Sequence, residues 1–449
     1  MGAPPGDDDP QPSVALAPVE MRLIEKGRSL PIDLPTVVRL AEANSLDILQ
    51  ARARRAEVRG RKNEALGDLF PEVTGSFRAR KIDGMIQASF GQLDRESVST
   101  LNPAVGVQLE LNPVEAMFDA LAAHRALDAA DHDTERAHQG VLARATRQYF
   151  GLLAAHAQVR IAEQALEVSR ELARIGRDRA SVGAGLKVDV LRAEARESAS
   201  AVRLVEAQRL LRRASLALAL TLQLDPSVTL FPAETVVRQR TLVDSGLSLD
   251  DLIARARTAR PVVGAEGQRL SAAEHEKSAS LADALGPTVF GSFEESAIGR
   301  STGDLDNRQI YGGYIGLTLS PASIGRVQAA DARVEQARLA QTRVEQRIAV
   351  EVITARDDVL TAQEQIAAAM RGLSAAEAAL DLSQVRFKGG VGIGLEVLDA
   401  EAALSEARTN LVTAILAYDT SEIALLHAVG GVSAASLLAG VATPDGEQP

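Results

Sequence analysis

Residues 182–194 read VGAGLKVDVLRAE, and residues 389–401 read GGVGIGLEVLDAE. They align without a gap: a glycine-rich turn, an acid at Asp189 or Glu396, then Val-Leu, a charged residue and Ala-Glu. Glycine gives the positive-φ freedom and close backbone approach that a tight reversal between helices needs. The residues after the acid are ordinary helix formers. Either stretch alone says little. The pair, about two hundred residues apart, makes the chain a duplication with a helical hairpin in each half.

Working outward, each turn is preceded by a proline-free run rich in Ala, Leu, Glu, Gln and Arg, from Val114 to about Arg179 and from Ala322 to about Arg386. Such runs favour one unbroken helix, ~100 Å long at the α-helical rise. In the second, Val352, Val359, Ile366, Leu373, Leu380 and Phe387 recur every seventh residue, with Ala355, Ala362, Ala369, Ala376 and Ser383 three behind. The first repeats this large/small seam with Leu152, Val159, Leu166 and Ala173 beside Ala155, Ala162, Ser169 and Gly176. Small residues let helix backbones approach closely, as coiled-coil packing requires. After each turn a shorter helix returns, Val188 to about Leu224 and Leu395 to about Val429. The missing length is expected from an opening helix in each half, Leu34–Leu66 and Leu249–Leu285, because two helices of about 35 residues end to end match one of about 65–70.

Each opening helix stops at a proline, Pro71 or Pro287, and gives way to strand-like sequence, VTGSFRAR from Val73 and VFGSFEES from Val289. In the first, Val73, Gly75, Phe77 and Ala79 share one face and Thr74, Ser76, Arg78 and Arg80 the other, the alternation of a wall between lipid and water. A polar loop is expected next. Second strands follow, with Val105, Val107, Leu109 and Leu111 alternating in the first half and Tyr311, Gly313, Ile315, Leu317 and Leu319 in the second. Both end in Leu-polar-Pro, at Leu111-Asn112-Pro113 and Leu319-Ser320-Pro321, which releases the chain into a helix. The expected organisation is a disordered leader (1–29), a first repeat (30–225), a linker (226–246), a second repeat (247–430) and a flexible tail (431–449).

Composition excludes several chemistries. Asp and Glu (60) outnumber Lys and Arg (49), for a net charge of -11, which opposes nucleic acid binding. No cysteine is present, so disulfides and thiolate chemistry are absent. No unbroken apolar run reaches the ~18 residues of a spanning helix, so membrane insertion is expected through strands or a surface anchor. Met1 to Pro18 carries acids and prolines and shows no export signal. The six histidines, His124, His132, His138, His156, His275 and His427, have no metal-ligand spacing, and the first four, which share one long helix, are expected to be solvated along it. The glycines at 390, 392 and 394 lack the Lys-Ser/Thr of a phosphate loop. Asp357-Asp358 lies on unbroken helix without pocket-forming loops, so no enzyme, metal or cofactor is expected.

The paired tips, a glycine followed after five residues by Asp-Val-Leu or its like and then Ala, resemble the hairpin-end motifs of the TolC-type outer membrane efflux family, over roughly residues 30–430. The resemblance implies a mainly α fold with a small β part. Internally duplicated helical hairpins would form an α-barrel, and four strands per chain a trimeric twelve-stranded β-barrel in the outer membrane. It implies a passive conduit for tripartite efflux or type I secretion. The partners would be two further copies, a periplasmic membrane-fusion adaptor, an inner-membrane transporter of the resistance-nodulation-division or ATP-driven type, and outer membrane lipid.

Carried over residue by residue, the resemblance places Val182, Gly183, Gly389 and Gly390 at adaptor-docking tips and Asp189, Glu396 and Asp399 around the periplasmic entrance. Phe387 stands where the family's latch has a tyrosine, and Gly392 where it has an arginine, so the entrance is expected to be held in another way. Two further features leave room for a second reading. Trp is absent, although lipid-facing barrels usually carry Trp and Tyr girdles, while Phe77, Phe90, Phe293, Tyr311 and Tyr314 cluster in the strand regions. The alternative is a soluble coiled-coil scaffold whose strands form a cap, and dependence on detergent separates the two.

Overall fold

A computed structural model describes residues 13–15, 29–87, 91–183, 186–234, 236–389 and 391–439. The elements run β1 (Ser13–Ala15), β2 (Ser29–Ile32), α1 (Leu34–Asn44), α2 (Leu46–Gly67), β3 (Glu72–Gln87), β4 (Leu93–Leu111), α3 (Pro113–Ser181) and α4 (Lys187–Thr221). They continue with β5 (Thr229–Pro232), β6 (Val236–Arg238), α5 (Leu249–Ala259), α6 (Pro261–Leu285), β7 (Thr288–Ile298), β8 (Asp306–Gly316), α7 (Pro321–Lys388), α8 (Gly394–Ala428) and α9 (Ala434–Ala439). Two compact units result, and each takes segments from both halves of the sequence: 52–133 with 262–344, and 1–51 with 134–261 and 345–449.

Each opening stretch is two helices rather than the single one expected. Arg260 leaves the helical region (φ -75°, ψ 124°) because Pro261 crowds the residue before it. Ser45 adopts the same extended backbone in the first half (φ -62°, ψ 123°), and Leu49 N–H then bonds its carbonyl at 3.1 Å to start α2. The polar residue of each Leu-polar-Pro is a helix cap. Asn112 Oδ1 accepts from the N–H groups of Val114 and Glu115 at 3.1 and 3.2 Å, and Ser320 Oγ accepts from Ala322 N–H at 3.2 Å. Asn112 also donates to the Ala282 carbonyl at 2.7 Å, and a Cβ on Gly286 would sit 2.6 Å from that amide, so glycine is required there.

In the 52–133/262–344 unit the strands form one antiparallel sheet in the order β3-β4-β7-β8. Its register carries the alternation seen in sequence across all four strands. Val73, Val107, Phe293 and Tyr311 stand in one row, with Leu111, Val289 and Ile315 in a parallel row on the same face. The opposite face carries Glu72, Gln108, Ser292 and Gly312 in one row and Ser76, Ala104, Ser296 and Arg308 in another. Phe293 packs on Tyr311 (5.2 Å between ring centroids), while Phe290 stacks on Tyr314 (5.0 Å) on the polar side. Val73, Val107, Tyr311 and Ile315 are exposed and Leu111 and Val289 half-buried, so among the described residues this apolar face is largely uncovered.

Two strand limits differ from expectation. The polar loop expected after Arg80 is strand as far as Gln87, paired with 93–99, where Val98 favours extended backbone. Phe90 lies outside the described residues. Conversely β8 ends at Gly316, opposite Thr288, because Pro287 offers no N–H to continue the ladder, leaving Leu317 and Leu319 beyond it. Ion pairs tie the helices of this unit: Arg55 to Asp131, Arg269 to Asp133, and Lys277 to Asp331 at 2.6 Å.

The other unit is mainly helical, with two small two-stranded sheets, β1-β6 and β2-β5. Ile348, Val352, Ala355, Val359, Ala362 and Ile366 of α7 are buried, as the heptad spacing requires, and Leu152, Val159, Leu166 and Ala173 form the matching stripe of α3. Toward the tip the α7 seam opens, with Leu373, Leu380 and Phe387 only half-buried. Helix α8 is covered on several sides: Val397, Leu404, Leu411, Tyr418 and Leu425 are buried at seven-residue intervals, and so are Ile415, Asp419, Glu422 and Leu426. It has the length and apolarity of a membrane span, but 61% of that window is buried within the protein and marks it as a core helix. His156, expected to be solvated, is buried, and burial lowers its pKa. The tail expected to be flexible supplies α9, whose Leu437 is buried. Three residues of the expected leader form β1 and pair with β6.

Candidate functional site

The two hairpin ends lie in the helical unit and are built alike. Arm α3 turns at Val182-Gly183, where Gly183 has φ +74° and donates to the Ala180 carbonyl at 3.2 Å. Arm α7 turns through Gly389, whose N–H bonds the Val385 carbonyl at 2.9 Å, and then wraps back so that Val391 and Gly392 both donate to the Arg386 carbonyl at 3.1 and 3.0 Å. Gly390 lies outside the described residues. Val182 is highly exposed, and Gly183 and Gly389 are exposed too.

Each return helix begins after an extended apolar residue without a side-chain cap, Leu186 before α4 and Ile393 before α8. Asp189 and Glu396 occupy the third position of these helices, where unsatisfied N–H groups and the helix dipole favour negative charge. Both are exposed and face arginines, Asp189 toward Arg192 at 3.8 Å and Glu396 toward Arg386 at 3.5 Å. Asp399 is exposed one turn on and lines a shallow groove with Arg192 and Arg196.

The structure explains why Gly392 carries no side chain: a Cβ there would stand 3.0 Å from both Arg386 Cβ and Phe387 N. Phe387 is half-buried, with its ring against Gly394 and the Arg179 guanidinium 4.2 Å from its centroid. Phe387 and Asp189 line one cavity between the hairpin ends, Asp399 lines the groove beside Arg192, and Glu396 faces Arg386 of its own hairpin. Sequence periodicity gave no indication of Arg179, which is one arginine among several on that arm.

A second polar centre escaped the sequence altogether. The segment between the halves is held to α8 by its carboxylates: Arg240 N–H donates to Asp419 Oδ1 at 2.9 Å, and the N–H groups of Leu242 and Val243 donate to Glu422 Oε2 at 2.8 and 3.0 Å. The Thr241 and Tyr418 hydroxyls share a 3.0 Å bond, Arg240 pairs with Glu234, and Tyr149 of α3 donates to Glu234 at 3.1 Å. Burial pushes the Asp419 carboxyl up to about 8, against the lowering pull of the Arg240 N–H and guanidinium. The visible signal was a Tyr-Asp-x-x-Glu run, 418–422, inside the largely apolar second half of α8.

The profile of the family described as Outer membrane efflux protein matches residues 37–222 and 252–431. Among solved structures, the outer-membrane channel OprN is 22% identical, with 95% of this chain and 99% of that one covered at a TM-score of 0.78. The CmeC outer membrane channel of Campylobacter jejuni is 17% identical, with 89% and 85% covered and a TM-score of 0.81. The open-state MtrE outer membrane channel of Neisseria gonorrhoeae is 18% identical, with 96% and 97% covered and a TM-score of 0.74. No curated protein sequence matches the chain. The profile spans both halves and most of the chain, and the solved channels share its fold along nearly their full length: this chain belongs to the outer membrane efflux protein family, whose place is the bacterial outer membrane and whose work is efflux.

Proposed function

We propose that the chain is one protomer of a homotrimer forming a passive conduit, supplied by an inner-membrane pump through a periplasmic adaptor. The sheet carries this reading. Its edge strands β3 and β8 pair with no further strand among the described residues, and on one face two rows, Val73-Val107-Phe293-Tyr311 and Leu111-Val289-Ile315, are apolar before Glu295 and Gln309 in the next. Such edges are satisfied when copies close them into a barrel, and such a face is suited to lipid. Val202 and Val205 on α4, and Val350 and Leu360 on α7, are likewise exposed apolar side chains available to neighbouring copies.

The tips are the proposed docking points for the adaptor, through Val182, Gly183, Gly389 and Gly390. Gly183→Trp combines a strained positive-φ turn with a bulky surface. It is expected to leave trimer yield near normal while lowering adaptor-dependent transport about tenfold, as a clash of one affinity decade requires. Full transport by a normally assembled variant would remove these glycines from the docking surface.

Asp189, Glu396 and Asp399, with Phe387, are the proposed lining of the entrance. Three copies of Glu396 and Asp399 in a narrow mouth set up a negative potential that bulk salt screens poorly, whereas acids on an outer face are screened within ~10 Å. In single-channel recordings the Glu396→Gln/Asp399→Asn double variant should lose cation preference by about threefold or more, with trimer stability unchanged. Unaltered selectivity would place these acids away from the pore.

A further inference from the structure

All four strands of the large sheet meet their helices at one end: β3 follows α2, β4 leads into α3, β7 follows α6 and β8 leads into α7. Along the polar face, charge is sorted from that end outward. The rows nearest the helices hold acids, Glu110 beside Phe290, Glu72 beside Gln108, and Glu294 beside Gly106. The next rows hold Arg308 opposite Ser296, Arg78 opposite Asn102 and Arg80 opposite Thr100. Among the described residues of those outer rows there is one acid, Asp306 opposite Ile298.

The inner acids already have partners. Glu72 accepts from Gln108 at 3.4 Å, Glu110 accepts from the Tyr314 hydroxyl at 3.1 Å, and Glu294 faces Arg308 at 3.8 Å. Arg78 and Arg80 are exposed and have no carboxylate partner among the described residues. Opposite Arg78, the Asn102 Oδ1 is buried and accepts nothing, so the guanidinium has not folded back onto the strand beside it. Two unpaired arginines side by side on one face repel each other, and the guanidinium fork matches a carboxylate or a phosphate.

Their place in the sheet matters for a trimer. Arg78 and Arg80 lie on the edge strand β3 and Arg308 on the opposite edge strand β8. Closure by copies therefore sets the Arg308 strand of one chain beside the Arg78 strand of the next. Resting on the conduit reading above, we propose that Arg78, Arg80 and Arg308 form a basic collar inside the half of the barrel away from the helices, completed across each junction between copies, and that the collar binds cargo carrying several carboxylate or phosphate groups. A ring of arginines in a low-dielectric wall focuses a positive potential on the lumen. A large anion presented at the strand ends meets this collar first, whatever the charge at the hairpin tips.

The test is block of single-channel current in planar bilayers by inositol hexakisphosphate, added to the chamber that the strand ends face. Unmodified trimers are expected to show a reversible block at ~0.1 M KCl that weakens about tenfold or more at ~1 M, where the screening length falls from ~10 to ~3 Å. Arg78→Gln/Arg80→Gln, with assembly checked by its open channels in KCl, is expected to raise the half-blocking concentration about tenfold or more. Arg308→Gln, a single change on the other edge, is expected to raise it about threefold. Lys81→Gln removes a charge from the same strand on the opposite face and should leave the block as it was. Equal half-blocking concentrations in the Arg78→Gln/Arg80→Gln variant and the unmodified chain, an equal loss in Lys81→Gln, or an unmodified channel that inositol hexakisphosphate leaves untouched, overturns the collar and leaves the conduit standing. Absence of channels in every form, the unmodified chain included, overturns the conduit and the collar with it.

Discussion

Val107→Arg is expected to give a chain with intact helices that neither inserts into membranes nor yields trimers. Val107 sits within the row Val73, Val107, Phe293 and Tyr311 on the apolar face of the sheet. An arginine on the lipid side of a barrel costs about 2–4 kcal/mol near the midplane, and every trimer would carry three of them. The neighbouring Gln108 points to the polar face, beside Glu72 and Ser292, so Gln108→Arg is expected to assemble normally. The pair is read by far-ultraviolet circular dichroism for the helices and by heat-resistant trimer recovered from liposomes. Equal recovery of both variants would mean that the apolar face does not meet lipid.

The second large effect is at Glu422. Truncation to alanine would leave the Leu242 and Val243 N–H groups without their acceptor in a buried place and release the linker from α8. Unsatisfied buried donors and a broken charged network together cost about 3–5 kcal/mol. Glu422→Gln keeps an acceptor and should cost about 1 kcal/mol. Asp419 adds a pH signature. Its folded pKa of about 8 lies above the unfolded carboxylate value, so the native state holds a proton that the unfolded chain has released. The resulting stability is full below the unfolded value and is lost as pH rises toward about 8. Asp419→Asn, which mimics the protonated carboxyl and can still accept from Arg240, should flatten that fall in thermal midpoint. A slope equal to wild type would assign the titration to another group.

What could be read in the sequence was whatever repeats at short range. The heptad of Val352, Val359 and Ile366 located the seam of α7, and the two-residue alternation around Val73 and Val105 located the sheet face, because both follow from one element's own geometry. The Leu-polar-Pro ends gave both long helices their starts to within a residue. The breaks at Ser45 and Arg260 were missed because amphipathic spacing passes through them, although Pro261 was a local warning. The Asp419–Glu422 centre and the Arg179–Phe387 stack were illegible for another reason. Their partners are distant in sequence, and an acid or arginine on a helix reads as surface until the element covering it is known.

In the proposed conduit the open edges of β3 and β8 are closed by copies of the same chain. The most direct measurement is the native mass of the protein in mild detergent, by light scattering or native mass spectrometry. The expected result is a particle of three 47.5 kDa chains that precipitates when detergent is withdrawn and survives when lipid replaces it. A monodisperse single chain, stable without detergent or lipid, would contradict it.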